Sequence, residues 1–290
     1  MPVLELAHKR HSSRSDRLMT FVVWGCATLV AAAFLALLAD LLWHGGSWLS
    51  WQFLVTAPEN AGRAGGIAPI LVSTLLILAV ALTAAVPMGL ATAVWLSDFT
   101  RAGGRLARWV NLCLDVLAGV PSIVFGLFGN AFFSVTLGLG FSILSGGLTL
   151  ACMVLPIFIR SAESGLSAVP DDWRWGAAAL GVSRAAALRH ILLPAAAPAL
   201  TAGLMLSIGR ALAETAALVF TSGYVDRMPE SLLDSGRALA VHIYDLSMNV
   251  TGGDGAAYAS ALVLIALLVL INGVTMALSE RFLARRISLS

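Results

Sequence analysis

Charge is what this 290-residue chain has least of: Asp, Glu, Lys and Arg make up 12%, about half the share of a soluble domain. The charges also cluster, leaving apolar runs of 20 residues or more between them, and such runs exclude a soluble globular fold. The dyad alternation of a membrane β-barrel is missing. A net charge of +2, with no basic patch interleaved with aromatics, excludes a nucleic-acid role. The 3 cysteines, Cys26, Cys113 and Cys152, lie in apolar runs without metal-ligand spacing. They are expected as small buried hydrophobes, and no metal site is expected. There is no Gly-rich loop ending in Lys-Ser/Thr, so the chain cannot bind and hydrolyse ATP in that way by itself. Gly103-Gly104 and Gly252-Gly253 are loop glycines. No carboxylate pair or Ser/His/Asp set converges, which argues against a membrane enzyme. No inverted repeat relates the two halves, which argues against a secondary transporter.

What is present is apolar length. Hydrophobic residues make up 59% and mean hydropathy is +0.88, the composition of an all-α integral membrane protein. Six transmembrane helices are expected, at residues 21–43, 67–96, 109–135, 137–159, 191–220 and 258–278. The first run is too long for a signal-peptide core and is read as a retained span. Pro87 should kink the second, Gly119, Pro121 and Gly126 break the third, and Pro156 sits near the end of the fourth. The connections are a Gly- and Trp-containing loop at 44–66, a short basic loop (Arg101, Arg105, Arg108), a structured polar stretch at about 160–190 and a long polar loop at 221–257. The domain reading is a polar segment, 1–20, followed by a membrane domain, 21–290.

Lys and Arg placement sets the orientation. The N-terminal segment, the second-to-third and fourth-to-fifth connections and the tail hold Lys9, Arg10, Arg14, Arg17, Arg101, Arg105, Arg108, Arg160, Arg174, Arg184, Arg189, Arg281, Arg285 and Arg286. The other side holds Arg63, Arg227 and Arg237. Both termini and the stretch 160–190 are therefore expected in the cytoplasm.

Within that stretch, Pro170 and Asp171–Asp172 start a helix, with carboxylates at the positive end of its dipole. Trp173, Ala177 and Leu180 share one face. Gly181 can end the helix in the left-handed conformation, and Ser183 can cap a second helix over 184–190. This is a short helical hairpin at the membrane surface, with Arg174, Arg184, Arg189 and His190 expected to face water or a partner. Arg160 and Glu163 are expected after the fourth span, anchoring the hairpin or forming part of its surface.

Inside the membrane, Arg210 and Glu214 are four apart in the fifth span and are expected on one helix face. Each would cost at least a few kcal/mol unless paired or facing water. One reading is a buried pair that fixes packing; the other is a polar pathway lined by Arg210, with Glu214 and Thr215 beside it. The planar guanidinium suits a tetrahedral oxyanion. Counted from Pro194, Arg210 lies about 24 Å along the helix. Pro121 and Ser122 mark the break in the third span, where freed carbonyls need protein or a cavity to cover them. Asp115 and Asp40 are expected at span ends, and Asn130 and Ser134 as packing contacts.

Gly181, nine residues, then Ile191, Leu193 and Pro194: this spacing resembles the coupling loop of ABC importer permeases, which reads Glu-Ala-Ala, three residues, Gly, nine residues, Ile-x-Leu-Pro. Ala177 matches the second Ala, whereas Trp175 stands at the Glu position and Gly176 at the first Ala. Residues 65–70 (GGIAPI), 117–129 (LAGVPSIVFGLFG) and 209–218 (GRALAETAAL) extend the resemblance to the PstA-type permeases of phosphate importers, over most of 65–280. Ala213 stands where that family usually has Gly. The resemblance implies a type I ABC importer permease in the bacterial inner membrane, with a core at about 65–280 and the coupling loop at about 160–190. It implies inorganic phosphate as substrate and a heterodimer with a PstC-type permease. The further partners are a PstB-type ATPase dimer, which would carry ATP and Mg, and a PstS-type binding protein outside. No cofactor is implied on this chain. Trp175, Ala177, Gly181, Arg184, Ile191, Leu193 and Pro194 would serve coupling, and Arg210 would attract the anion. A sulfate or molybdate permease shares this architecture.

Overall fold

The computed structural model describes residues 14–100 and 104–287. Most of the expected polar segment 1–20, together with Arg101 and both chain ends, lies outside the described residues.

The first span is a helix, α1 (Arg14–Gly45), longer than the apolar run alone. It stands almost free along the bundle and docks at one end. A Cβ on Gly45 would come within 2.8 Å of the Tyr258 backbone, so only glycine allows that approach. The expected loop 44–66 is folded. It forms α2 (Trp51–Val55), capped by Ser50 accepting from the Phe53 N–H at 3.1 Å. A minimal antiparallel hairpin of β1 (Pro58–Glu59) and β2 (Ala64–Gly65) follows, with Pro58 opposite Gly65. These elements are too short to show a hydrophobic period.

The second span is α3 (Ala68–Val94), ending in a π-helical turn, Trp95–Phe99. The third is not one kinked helix. α4 (Arg105–Gly119) and α5 (Ser122–Gly129), the latter extended by a π turn over Asn130–Thr136, are bent by 103°. Val120 and Pro121 are both non-helical, with ψ of 129° and 142°, so two successive residues re-aim the chain where Pro121 has no N–H to give. Among the described residues, five helices are each long and apolar enough to span a membrane; the bent pair makes a sixth when it is counted as one broken span.

The fourth span, α6 (Ile143–Ser167), is displaced from the expected 137–159. Gly138 and Gly140 take positive φ and Ser142 caps the helix, which delays its start. Its far end stays helical through Arg160 and Glu163, so both lie within α6 and not after it. The hairpin follows as α7 (Asp171–Ala179) and α8 (Arg184–Ala187). A π turn, Leu188–Leu192, carries α8 into α9 (Leu193–Leu212) without a break at Pro194. Proline is tolerated there because it follows the π turn, where the Leu193 N–H already reaches back to the Leu188 carbonyl and the ladder is interrupted in any case.

The expected fifth span, 191–220, is also corrected: α9 stops at Leu212 and a short α10 (Ala216–Val219) resumes after the break at 213–215. Residues 221–257 are no plain loop. They contain α11 (Leu239–Met248), whose Leu239, Val241, His242 and Leu246 are buried. The sixth span, α12 (Asp254–Ile287), overruns the expected 258–278 at both ends and takes in Arg281.

α3, α6 and α9 form the centre. Glycine permits the closest α6–α9 contacts: a Cβ on Gly165 would lie 2.4 Å from the Ala199 Cβ, and one on Gly203 2.5 Å from the Ser161 Cβ. Three apolar clusters are stacked along the bundle. One lies at the hairpin end (Leu96, Leu114, Ile159, Leu166, Leu192). A central one includes Ile77, Phe125, Leu150 and Leu212. The third, at the opposite or cap end, includes Phe53, Ile70, Leu239 and Leu246. Cys26 and Cys113 are exposed, contrary to the expectation of burial, because they sit on helix faces that no other element among the described residues covers; Cys152 is half-buried.

The cap is held by Arg237. It donates from Nε to the Tyr224 carbonyl at 2.8 Å, pairs with Asp245 at 3.2 Å and Asp226 at 4.0 Å, and directs Nη1 at His242 Nδ1, 3.4 Å away. His242 is 1% exposed, and burial, with Arg237 adding to it, lowers its pKa from 6.5 to about 4 although Asp245 opposes. The neutral ring can accept from Arg237; a protonated ring would set two cations together. Because the folded pKa lies below the unfolded one, this contribution to stability is complete above pH 6.5 and is lost as pH falls towards 4. At pH 5 the loss is about 2 kcal/mol. After correction for intrinsic rates, the α11 amides should exchange about 25-fold faster at pH 5 than at pH 7. His242→Phe should show no such rise, and equal acid sensitivity in both proteins would remove the role given to His242.

Candidate functional site

Two places carry unusual polar chemistry: the break at 213–215 and the hairpin.

At the break, α9 ends and Glu214 stands beyond its last turn, so Arg210 and Glu214 are not on one continuous helix as expected. They still meet, with Arg210 Nη2 3.4 Å from Glu214 Oε2. The pair is lopsided: the Glu214 side chain is 4% exposed and that of Arg210 48%. Glu214 has a second task. Its Oε1 accepts from the Ala217 N–H at 3.2 Å, taking up a donor that the new helix α10 leaves unpaired. Besides the ion pair, Arg210 has a 4.0 Å contact to the Met153 sulfur, a weak acceptor. A guanidinium has five N–H donors, and among the described residues Arg210 meets these two partners.

The two chain breaks lie close together in the fold. α5 packs on α10, where a Cβ on Gly126 would fall 2.8 Å from the Ala217 Cα. Asn130 donates to the Phe220 carbonyl at 2.9 Å. Val120 packs against the cluster that holds Ala211 and Leu212. Pro121 is exposed and Ser122 and Thr215 are half-buried. Ser134 bonds Ser145 at 2.7 Å, a packing contact between the π turn after α5 and α6.

At the hairpin, Gly181 takes φ +69° and ends α7, and Ser183 caps α8 by accepting from the Ala186 N–H at 3.3 Å. Trp173, Ala177 and Leu180 do not share one covered face. Ala177 is buried, whereas Trp173 and Trp175 are exposed and Leu180 is 83% exposed. Arg184, Arg189 and His190 are exposed as expected. Ile191 and Leu193 pack at the hairpin's root, and Pro194 lines a groove against α12.

Arg174 departs from expectation. It does not face water. Its Nη1 and Nη2 donate to the carbonyls of Val169 and Leu166, both at 2.8 Å. Its Nε meets Asp98 Oδ1 at 3.0 Å, and Nη1 lies 3.4 Å from Asp171. Arg160 does not anchor the hairpin either. It ties α6 to α4, donating to the Asn111 side chain at 2.8 Å, to Asp115, and to Glu163 at 3.2 Å. Asp98 and Asn111 were not foreseen. A lone acid at the end of the apolar run WLSDF was the available signal, but Arg101, Arg105 and Arg108 stood nearer in sequence than Arg174.

Comparison with known proteins follows this geometry. The family described as "Binding-protein-dependent transport system inner membrane component" matches residues 85–288. The chain is 31% identical over 271 residues to the probable ABC transporter permease protein YqgI of Bacillus subtilis (strain 168), covering 88% of this chain and 92% of that one. It is 34% identical over 267 residues to the phosphate transport system permease protein PstA of Mycobacterium leprae (strain TN), covering 91% and 84%. Among solved structures, an inward-facing MetNI methionine ABC transporter superposes with a TM-score of 0.54 at 18% identity, covering 75% of this chain and 96% of that chain. That likeness is one of fold.

Glu214 caps one helix and pairs with the end of another, so its removal should be felt in stability. Loss of a cap costs about 0.5–2 kcal/mol, and the ion pair adds little more because Arg210 is half-exposed and screened. Glu214→Ala should lower unfolding stability in mixed micelles by about 1–3 kcal/mol. Glu214→Gln, which keeps an acceptor for Ala217, should lose less than half of that. An unchanged midpoint for the alanine variant would remove the capping role.

Proposed function

Because the chain belongs to the family of binding-protein-dependent transport system inner membrane components, we infer that it is the permease subunit of an ATP-driven importer and carries inorganic phosphate across the cytoplasmic membrane. The observation that carries the substrate is the likeness, along 91% of the chain, to a protein named as a phosphate transport system permease. The chemistry of Arg210 supports it. A half-exposed guanidinium with unspent donors, at a helix break among packed spans, suits a tetrahedral oxyanion. Glu214 keeps the site from holding a full positive charge, so the anion is attracted without being trapped. Thr215, Pro121 and Ser122 complete the pathway in this reading.

The hairpin end is the cytoplasmic end, a placement supported by 14 of the 18 Lys and Arg residues, counted from the sequence. A PstB-type ATPase dimer, carrying ATP and Mg, docks on the exposed Trp173, Trp175, Leu180 and Arg184. With Trp175 at the position of the family acid, this docking face is more apolar than the family pattern. Ala177 and Gly181 shape the hairpin, and Ile191, Leu193 and Pro194 join its root to the fifth span. A PstC-type permease forms the other half of the pathway, and a PstS-type protein delivers phosphate at the cap, against α11 and the 44–66 segment. Closure of the ATPases draws the hairpins of the two permeases together and opens the bundle at the cap; ATP hydrolysis resets it.

The test is ATP-dependent uptake of radiolabelled phosphate by proteoliposomes holding the whole complex, with sulfate and molybdate as competitors. Uptake should require ATP and ignore both competitors. Arg210→Ala should reduce it at least tenfold with the complex still assembled, and Arg210→Lys should retain an intermediate rate. Inhibition by sulfate or molybdate would change the substrate. Full uptake by the alanine variant would leave Arg210 a packing residue.

A further inference from the structure

Covalently, the hairpin is joined to two spans only, α6 before it and α9 after it. The structure adds a third link. Arg174 gathers the last carbonyls of α6, at Leu166 and Val169, and holds Asp98 in the π turn that ends α3. Neither partner is loose: the side chains are 22% and 15% exposed. One planar fork thus ties the hairpin both to the adjoining end of α6 and to the end of α3, 76 residues away, a geometry that a lysine cannot reproduce. The second carboxylate oxygen, Asp98 Oδ2, is buried without a hydrogen-bond partner among the described residues. Asp98 and Arg174 also line a cavity of about 170 Å³ with Arg184 and Val182, so open space lies beside this bridge, next to the buried apolar cluster that Leu96 shares with Leu192 and Leu188.

α3 leads away from that bridge to the other end of the molecule. Its 27 residues run about 40 Å. At the far end, the Leu239 N–H, the first of α11, donates to Thr74 Oγ1 of α3 at 2.8 Å. Ile70 of α3 shares a buried cluster with Leu239 and Leu246.

We propose that the Arg174–Asp98 bridge is the contact through which displacement of the hairpin reaches α3 and, by way of Thr74 and Ile70, the α11 cap. Both are positioning residues, acting through α3 and not on substrate. The proposal rests on the permease reading, in which the hairpin is the moving part. Without the bridge, the hairpin still docks on the ATPase and moves α6 and α9 directly, but its own grip on the end of α3 is left to the apolar cluster of Leu96, Leu188 and Leu192.

Two measurements test it. In proteoliposomes of the whole complex, Asp98→Ala should leave ATP hydrolysis within twofold of the parent while phosphate uptake falls at least fivefold, so that ATP spent per phosphate rises at least fivefold. Asp98→Glu should bring that ratio back to within twofold. An unchanged ratio, or hydrolysis and uptake falling together, would overturn the proposal and leave a contact that only holds the fold. A parent complex without ATP-dependent uptake would instead overturn the permease reading. The second measurement needs no transport. In detergent, the α11 amides of Asp98→Ala should exchange at least threefold faster than those of the parent, whereas Asp171→Asn, which removes only the long exposed contact to Arg174, should not change them. Unaltered exchange at α11 in Asp98→Ala would overturn the route through α3.

Discussion

A helix interrupted inside a membrane gives up hydrogen bonds that lipid cannot replace. The break at 213–215 is possible because Glu214 occupies it. The carboxylate supplies an acceptor to the Ala217 N–H and a counter-charge to Arg210 at once. The second break, at Val120 and Pro121, gives up less. Pro121 has no N–H, and the Val120 N–H reaches the Leu117 carbonyl at 3.2 Å. Packed together, α5 and α10 let these interrupted spans shelter each other, with Gly126 against Ala217 setting how closely they approach. The Arg210 side chain stays half-exposed beside it.

The rest of the bundle is unbroken, and that division of labour suits a transporter. α6 and α9 meet through small residues. The interrupted segments sit beside them and offer polar groups. At each end stand short elements. The hairpin presents Trp173, Trp175 and Leu180, and the cap presents α11 held by Arg237 and His242.

Long apolar runs were easy to read because twenty consecutive apolar residues have few alternatives to a span. The hairpin was legible for the same kind of reason: Gly181 and Ser183 leave the backbone little choice. Where the reading failed, the deciding interaction was distant in sequence. Nothing local says that α6 continues through Arg160. The partners that keep it helical and satisfied, Asn111 and Asp115, lie on α4. The end of α9 at Leu212 was hidden because LAETAAL is a good helical sequence. α11 was taken for loop because its burial depends on α3 and α12. At the candidate pathway, sequence located both charges but not that one of them caps a helix. At the hairpin, local sequence points Arg174 to water or a partner because Asp98, its actual counter-charge, lies 76 residues away.

In a chain so poor in charge, the arginines of the folded core stand at joints, and comparing what each donates to separates structure from function. Arg160 joins α6 to α4, Arg174 joins the hairpin to α3, and Arg237 joins the 224–226 strap to α11. Each of these also donates to at least one backbone carbonyl at 2.8–3.1 Å. Arg210 does not. Its one carboxylate stands at 3.4 Å and its other contact is a thioether sulfur. If Arg210 served only to pack α9, the same economy would be expected of it as of the other three. In the proposed reading, the donors that Arg210 keeps are the ones an arriving oxyanion would use.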